Sequence, residues 1–256
     1  LAGATVLGKG EIYGLRYTHA LRGSERFGHS ATLGVDRKSS DQDAAGVFTP
    51  VQYTPFTAAY SGALMDAGGV TEFGVGLNVS FRGLGNEEIE FQNRRFRASA
   101  NYLYLRFDLS RTQNLPAGLS LYGRLDGQLA NGPLINNEQF VAGGLDSVRG
   151  YLEATALGDN GFRGSLELRS PQWAKLAGEG MNDLRGVVFV DAARLTVREP
   201  LPQEQDRFTL ASTGVGLRVR ALDRLLLRMD AGLALREQRA TDRHELRVQF
   251  VSAYEF

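Results

Sequence analysis

The densest set of residues able to do specific chemistry lies between about Ala130 and Asn160. It reads Gln139-Phe140-Val141-Ala142-Gly143-Gly144, then Ser147-Val148-Arg149-Gly150-Tyr151, then Gly158-Asp159-Asn160-Gly161. Arg149 presents a planar fork that can bind a carboxylate through two parallel hydrogen bonds. Gly143, Gly144 and Gly150 let such a segment turn sharply and approach another surface closely. Further along, Asp191 is a charge in an otherwise apolar run, and a charge there needs a partner or water. Little else suggests a reaction. His19, His29 and His244 form no HExxH and no i,i+4 pair, so a zinc hydrolase is not expected. There is no GxSxG elbow, Walker A loop or EF-hand spacing, and the Gly143-Gly144 pair precedes no helix. Asp41 and Asp43 read as solvated loop residues. Arg124, Asp126, Arg218, Arg228 and Asp230 read as interleaved charges on a hydrated wall rather than an acid/base set. The chain is therefore expected to be no enzyme and to hold no metal and no cofactor.

The elements that must carry these residues have period two, in segments of about ten residues. Leu246, Val248, Phe250, Ser252, Tyr254 and Phe256 share one face, against Arg247, Gln249, Val251, Ala253 and Glu255. Phe73, Val75, Leu77, Val79 and Phe81 oppose Glu72, Gly74, Gly76, Asn78, Ser80 and Arg82. The pattern predicts eleven strands, near 9–21, 26–36, 51–61, 71–82, 96–110, 118–129, 161–170, 183–194, 207–220, 224–236 and 245–256. Short connections (22–25, 62–70, 111–117, 221–223) alternate with long ones (37–50, 83–95, 130–160, 195–206), except that 171–182 is longer than the short class and 237–244 shorter than the long. A strand of that length, tilted by about 40°, spans roughly 25 Å, the height of an outer-membrane apolar band. A soluble sandwich of this size would need some strands buried on both faces, and shorter ones. Helical periodicity is almost absent; its best candidate is about Trp173 to Gly178.

Composition agrees. The chain has 256 residues and no cysteine, and its 29 Lys plus Arg balance 29 Asp plus Glu, so a nucleic-acid partner is not expected. No apolar run approaches the ~18 residues of a membrane-spanning helix. The mean hydropathy of −0.23 is compatible with a transmembrane barrel, in which lipid-facing and lumen-facing residues alternate. The fold class is thus all-β: a transmembrane antiparallel β-barrel, with 1–256 supplying about eleven C-terminal strands of a presumed 16-stranded barrel. Single-chain bacterial barrels have even strand numbers, so further strands are expected before Leu1. The missing Met and export signal point the same way.

The Gly-Gly-x(3)-Val-Arg-Gly-Tyr string at 143–151 resembles a loop of the outer-membrane transporter superfamily that includes BamA, TamA and the two-partner secretion transporters (TpsB; ShlB/FhaC/HecB, hemolysin activators). The string Phe189-Val190-Asp191-Ala192-Ala193 resembles that superfamily's F-x-D-x-G strand motif, with Ala193 in place of the last Gly. The continuation GYLEATALGDNGFRGSLELRSP, and the stretch at 109–134, resemble the two-partner secretion branch more than the BamA branch. The resemblance is strong from about Leu119 to Phe256 and rests on pattern alone before that. It implies that the loop folds from the cell surface into the barrel lumen, where its Arg meets acidic residues of the inner wall. The expected lock is Arg149 on Asp191, with Glu167 as a second carboxylate and Gly143, Gly144, Val148, Gly150 and Tyr151 shaping the loop. Phe256, with Tyr254 and Phe250 on the same face, resembles the terminal signal read by the barrel-insertion machinery. The implied function is export of a large partner polypeptide, an adhesin or hemolysin, across the outer membrane of a Gram-negative bacterium. Its partners would be that substrate, outer-membrane lipids and the insertion machinery. POTRA domains would lie outside this sequence. The alternative is a BamA/TamA-type insertase.

Overall fold

A computed structural model describes residues 6–44, 47–174, 178 and 180–255. The alternating segments form one antiparallel sheet. Its strands are β1 (Val6–Ala20), β2 (Phe27–Ala44), β3 (Val47–Tyr53), β4 (Phe56–Asp66), β5 (Gly69–Ser80), β6 (Tyr102–Asn114), β7 (Ser120–Ala130), β10 (Asn160–Arg169), β11 (Met181–Thr196), β12 (Arg207–Ala221), β13 (Leu225–Ala234) and β14 (Leu246–Tyr254). The order is β1-β2-β4-β5-β6-β7-β10-β11-β12-β13-β14, with β3 pairing β2 off this path. The path thus has the eleven strands expected, with β1 and β14 at its ends. The connection between β7 and β10 holds a small separate sheet, β8 (Phe140–Ala142) with β9 (Ala156–Gly158).

Burial follows the alternation. On β11, Val187, Phe189, Asp191, Ala193 and Leu195 are buried, whereas Val188 and Val190 are more than half exposed. Leu166 on β10, Val215 on β12, and Val248 and Phe250 on β14 are likewise exposed, and they form an apolar outer belt. Such a belt is costly in water and favourable against lipid. No described helix is long and apolar enough to cross a membrane.

Three expectations are corrected. The loop expected at 37–50 is largely strand: β2 runs to Ala44 and β3 returns along it. Past Val35 its residues are mostly polar, so hydrogen bonding continues where the apolar pattern has stopped. The single strand expected at 51–61 is therefore the end of β3 and the start of β4. The loop expected at 83–95 contains a helix, α1 (Glu88–Arg94), and the strand expected from 96 starts at Tyr102. Glu88 and Glu90 in the first turn of α1 and Arg94 in the last suit the helix dipole. The only buried residue of α1 is Phe91, so no amphipathic stripe marks it. Of the helical candidate at 173–178, residues 175–177 lie outside the described ones.

Apolar clusters fill the inside at the long-loop end. One joins Val51, Tyr53, Phe91, Tyr102, Tyr104, Leu134 and Ile135. The other sets Phe140, Val148, Tyr151 and Ala156 of the long connection on Ala193, Leu195, Phe208 and Leu210 of β11 and β12. The inward face is thus partly apolar where the long connection packs on it, which removes that apolar surface from water.

Candidate functional site: the loop docked on the inner wall

The tip of the β7–β10 connection lies on the inward face of β10 to β13. Gly143 and Gly144 begin it: the Gly143 N–H donates to Ser147 Oγ at 3.1 Å and the Gly144 N–H to the Val148 carbonyl at 3.2 Å. This turn aims Arg149 at the wall. Antiparallel register places Asp191 of β11 directly between Ser165 of β10 and Ser212 of β12, all inward. Arg149 Nε and Nη2 donate to the two Asp191 oxygens, each at 2.7 Å, and the Arg149 backbone N–H adds a third bond at 3.1 Å. Nη1 donates to Glu167 Oε1 at 2.6 Å, and Nη2 to Ser165 Oγ at 3.0 Å. Ser165 Oγ donates in turn to Asp191 at 2.6 Å. The guanidinium lies over the Phe189 ring, 3.5 Å from its centre. Arg149 is 2% exposed and Asp191 fully buried, so water contributes little to holding either charge.

The network extends beyond this pair. Asp230 of β13 lies 3.5 Å from Arg149 and 2.9 Å from Arg218, and Arg228 pairs with both Asp230 and Asp146 of the loop. Arg169 binds the other oxygen of Glu167. Four arginines (149, 169, 218, 228) thus meet four carboxylates (Asp146, Glu167, Asp191, Asp230), and the site is close to neutral. Because each buried charge has a partner, the cluster is held together; removing one partner from a buried pair costs about 3–5 kcal/mol.

Gly150 and Tyr151 complete the docking. A Cβ on Gly150, whose φ is +90°, would stand 3.0 Å from the Gly232 carbonyl, and one on Gly232 would stand 2.6 Å from the Gly150 nitrogen. The two backbones therefore touch where neither can carry a side chain. Tyr151 is fully buried, and its hydroxyl donates to the Arg236 carbonyl at 2.8 Å, with the Ala211 carbonyl at 3.0 Å. Val148 is fully buried beside it.

Sequence reasoning named Arg149, Asp191, Glu167, Val148, Gly150 and Tyr151, and the structure brings them together, with Gly143 and Gly144 at the loop's turn. It placed Arg218, Arg228 and Asp230 on the wall without linking them to the loop. It missed Ser165 as a bridge, Gly232 as the counterpart of Gly150, and Asp146; the register of β10 to β13 is the signal that relates them. Phe250 and Tyr254 lie on the outward face of β14, away from this site, and Phe256 lies outside the described residues. Among the described residues, no group of three or more His, Cys, Asp or Glu could hold a metal.

An antiparallel sheet with an apolar belt outside, charges inside and a long loop seated on its inner wall defines a transmembrane β-barrel of the Gram-negative outer membrane. The chain belongs to the haemolysin secretion/activation protein family ShlB/FhaC/HecB, whose family model matches residues 4–219. That match reaches through the N-terminal half, where the residues alone showed only the strand pattern. Among solved structures, CdiB from Escherichia coli is similar with a TM-score of 0.82 at 19% identity, over 97% of this chain and 46% of that one. CdiB from Acinetobacter baumannii follows at 0.71 and 14%, over 97% and 42%. BamA from Haemophilus ducreyi lacking POTRA domains 1-3 gives 0.69 and 14%, over 96% and 55%. The chain thus spans about half the length of each. No curated protein matches it in sequence.

Proposed function

We propose that this chain forms the C-terminal wall of an outer-membrane pore that exports a large partner polypeptide, of the adhesin or hemolysin class, by two-partner secretion. Family membership supports the class of process. The observation that carries the reading is the loop fastened inside the barrel by Arg149, Asp191 and Glu167, which makes it a strut or gate in the path of a translocating chain. The rest of the inner wall suits that cargo: Glu72, Asp108 and Arg124 of β5, β6 and β7 face a 630 Å³ cavity with mixed charge and no single-sign trap. The protein acts as a transporter and not as an enzyme. Outer-membrane lipids cover the apolar belt, and the outward aromatic residues of β14, with Phe256, present the strand to the insertion machinery.

The test is single-channel recording of the full-length protein in planar bilayers, with export of an unfolded partner polypeptide into liposomes as the second readout. The reading predicts conductance and export, both altered by Arg149→Ala. A protein that conducts nothing and exports nothing contradicts it. A second reading, an insertase of BamA type, is favoured by the likeness to BamA. Accelerated membrane insertion of an unfolded barrel protein in the same liposomes would favour that reading.

A further inference from the structure

Two buried carboxylates of the long connection take no part in the tip site. Asp159, in the Gly158-Asp159-Asn160-Gly161 string, is fully buried, and three surface segments converge on it. Arg95, just past α1, grips both its oxygens, at 2.5 and 2.8 Å. The Leu134 backbone N–H donates to one oxygen at 2.8 Å and the Arg198 N–H, in the β11–β12 connection, to the other at 2.7 Å. Arg95 also donates to the Leu134 and Arg198 carbonyls, at 2.6 and 2.9 Å. Glu138, 1% exposed, fastens the other side of the same stem: Tyr53 of β3 and Tyr104 of β6 donate to its two oxygens, each at 2.6 Å, and Lys38 of β2 reaches it at 2.8 Å. Neither network shares a residue with that around Arg149.

We infer that Arg95 and Asp159 are positioning residues that latch the surface segment 81–101, with α1, onto the stem of the long loop, and that this outer latch opens independently of the tip lock. The physical reason is the separation of the two charge clusters. Each is satisfied internally, so neither depends on the other to keep its buried charges paired. Breaking the latch loosens 95–101 from the loop stem, with Phe91, Arg94 and Glu90 still holding α1 to β2 and β3, while Arg149 still holds the tip. Breaking the lock frees the tip while the mouth stays covered. The inference deepens the pore reading, on which its consequence for transport rests.

Residues 1–256 hold no cysteine, so, with any thiol elsewhere in the full-length protein replaced by serine, single introduced thiols report on each site. Ala98→Cys reports on the latched segment, where Ala98 is buried, and Ser212→Cys, nearly isosteric, reports on the wall facing Asp191. The full-length protein in liposomes is labelled with a membrane-impermeant maleimide, and each variant's fold is checked by heat-modifiable gel mobility. Asp159→Asn and, independently, Arg95→Gln are expected to speed labelling at position 98 by about tenfold or more and to leave 212 protected, from the loss of a charge-assisted hydrogen bond. Arg149→Ala is expected to do the reverse. Latch substitutions that expose both positions together, or neither, overturn the inference. Conductance measured on the same preparations separates the two readings: the expected labelling without conduction removes the pore and leaves the latch, and conduction without it removes only the latch.

Discussion

The inner wall of this barrel consists of two regions with the same sequence grammar and opposite environments. On β5 to β7, Glu72, Asp108 and Arg124 are inward and exposed. On β10 to β13, Glu167, Asp191 and Asp230 are equally inward and almost wholly buried. Alternation cannot tell the two apart, because period two only assigns a face. What separates them is a third layer, the loop tip, which brings its own arginine to the carboxylates it covers. The charges on the open wall stand in solvent even where they are paired, as Arg124 is with Asp126; a charge on the covered wall is held by a buried partner, so the same kind of substitution should have very different effects in the two places.

The largest expected effect is on the covered wall. Asp191→Ala leaves Arg149 buried without its bidentate partner and should lower stability by about 3–5 kcal/mol, read from urea unfolding of the full-length protein in vesicles. Gly150→Ala comes next. It adds a Cβ against Gly232 at a φ of +90°, and strain of this kind costs about 1–3 kcal/mol; the same titration should show it. Tyr151→Phe keeps the ring in place and removes the bonds to Arg236 and Ala211, for about 1 kcal/mol. On the open wall, Asp108→Asn should change stability by no more than about 0.5 kcal/mol while shifting the cation-to-anion permeability ratio toward anions in planar bilayers. A stability loss there as large as at Asp191 would erase the distinction between the walls.

Much of this was legible in the residues, for reasons that also mark where legibility ends. A strand with one face toward lipid advertises itself: Val188 and Val190 against Phe189 and Asp191 predict both the strand and the inward charge. The loop's composition, with Arg149 among glycines, matched what docking on a carboxylate requires. The long β2–β3 hairpin was not legible, because its residues past Val35 are mostly polar and backbone pairing leaves no hydrophobic trace. Helix α1 buries one side chain, too few for periodicity. The pairing of Gly150 with Gly232, and the gathering of Leu134, Arg95 and Arg198 on Asp159, join residues far apart in the chain. Only strand register and the path of the surface loops bring them together.

The central claim, that the loop is held to the inner wall by the Arg149–Asp191 pair, is tested most directly by a double-mutant cycle. Arg149→Ala, Asp191→Ala and the double variant would be compared by urea unfolding in vesicles, with conductance recorded alongside. The account predicts that each single substitution costs stability, that both change conductance alike, and that the double variant is no worse than either single one. Additive losses, or no change in any variant, would contradict it.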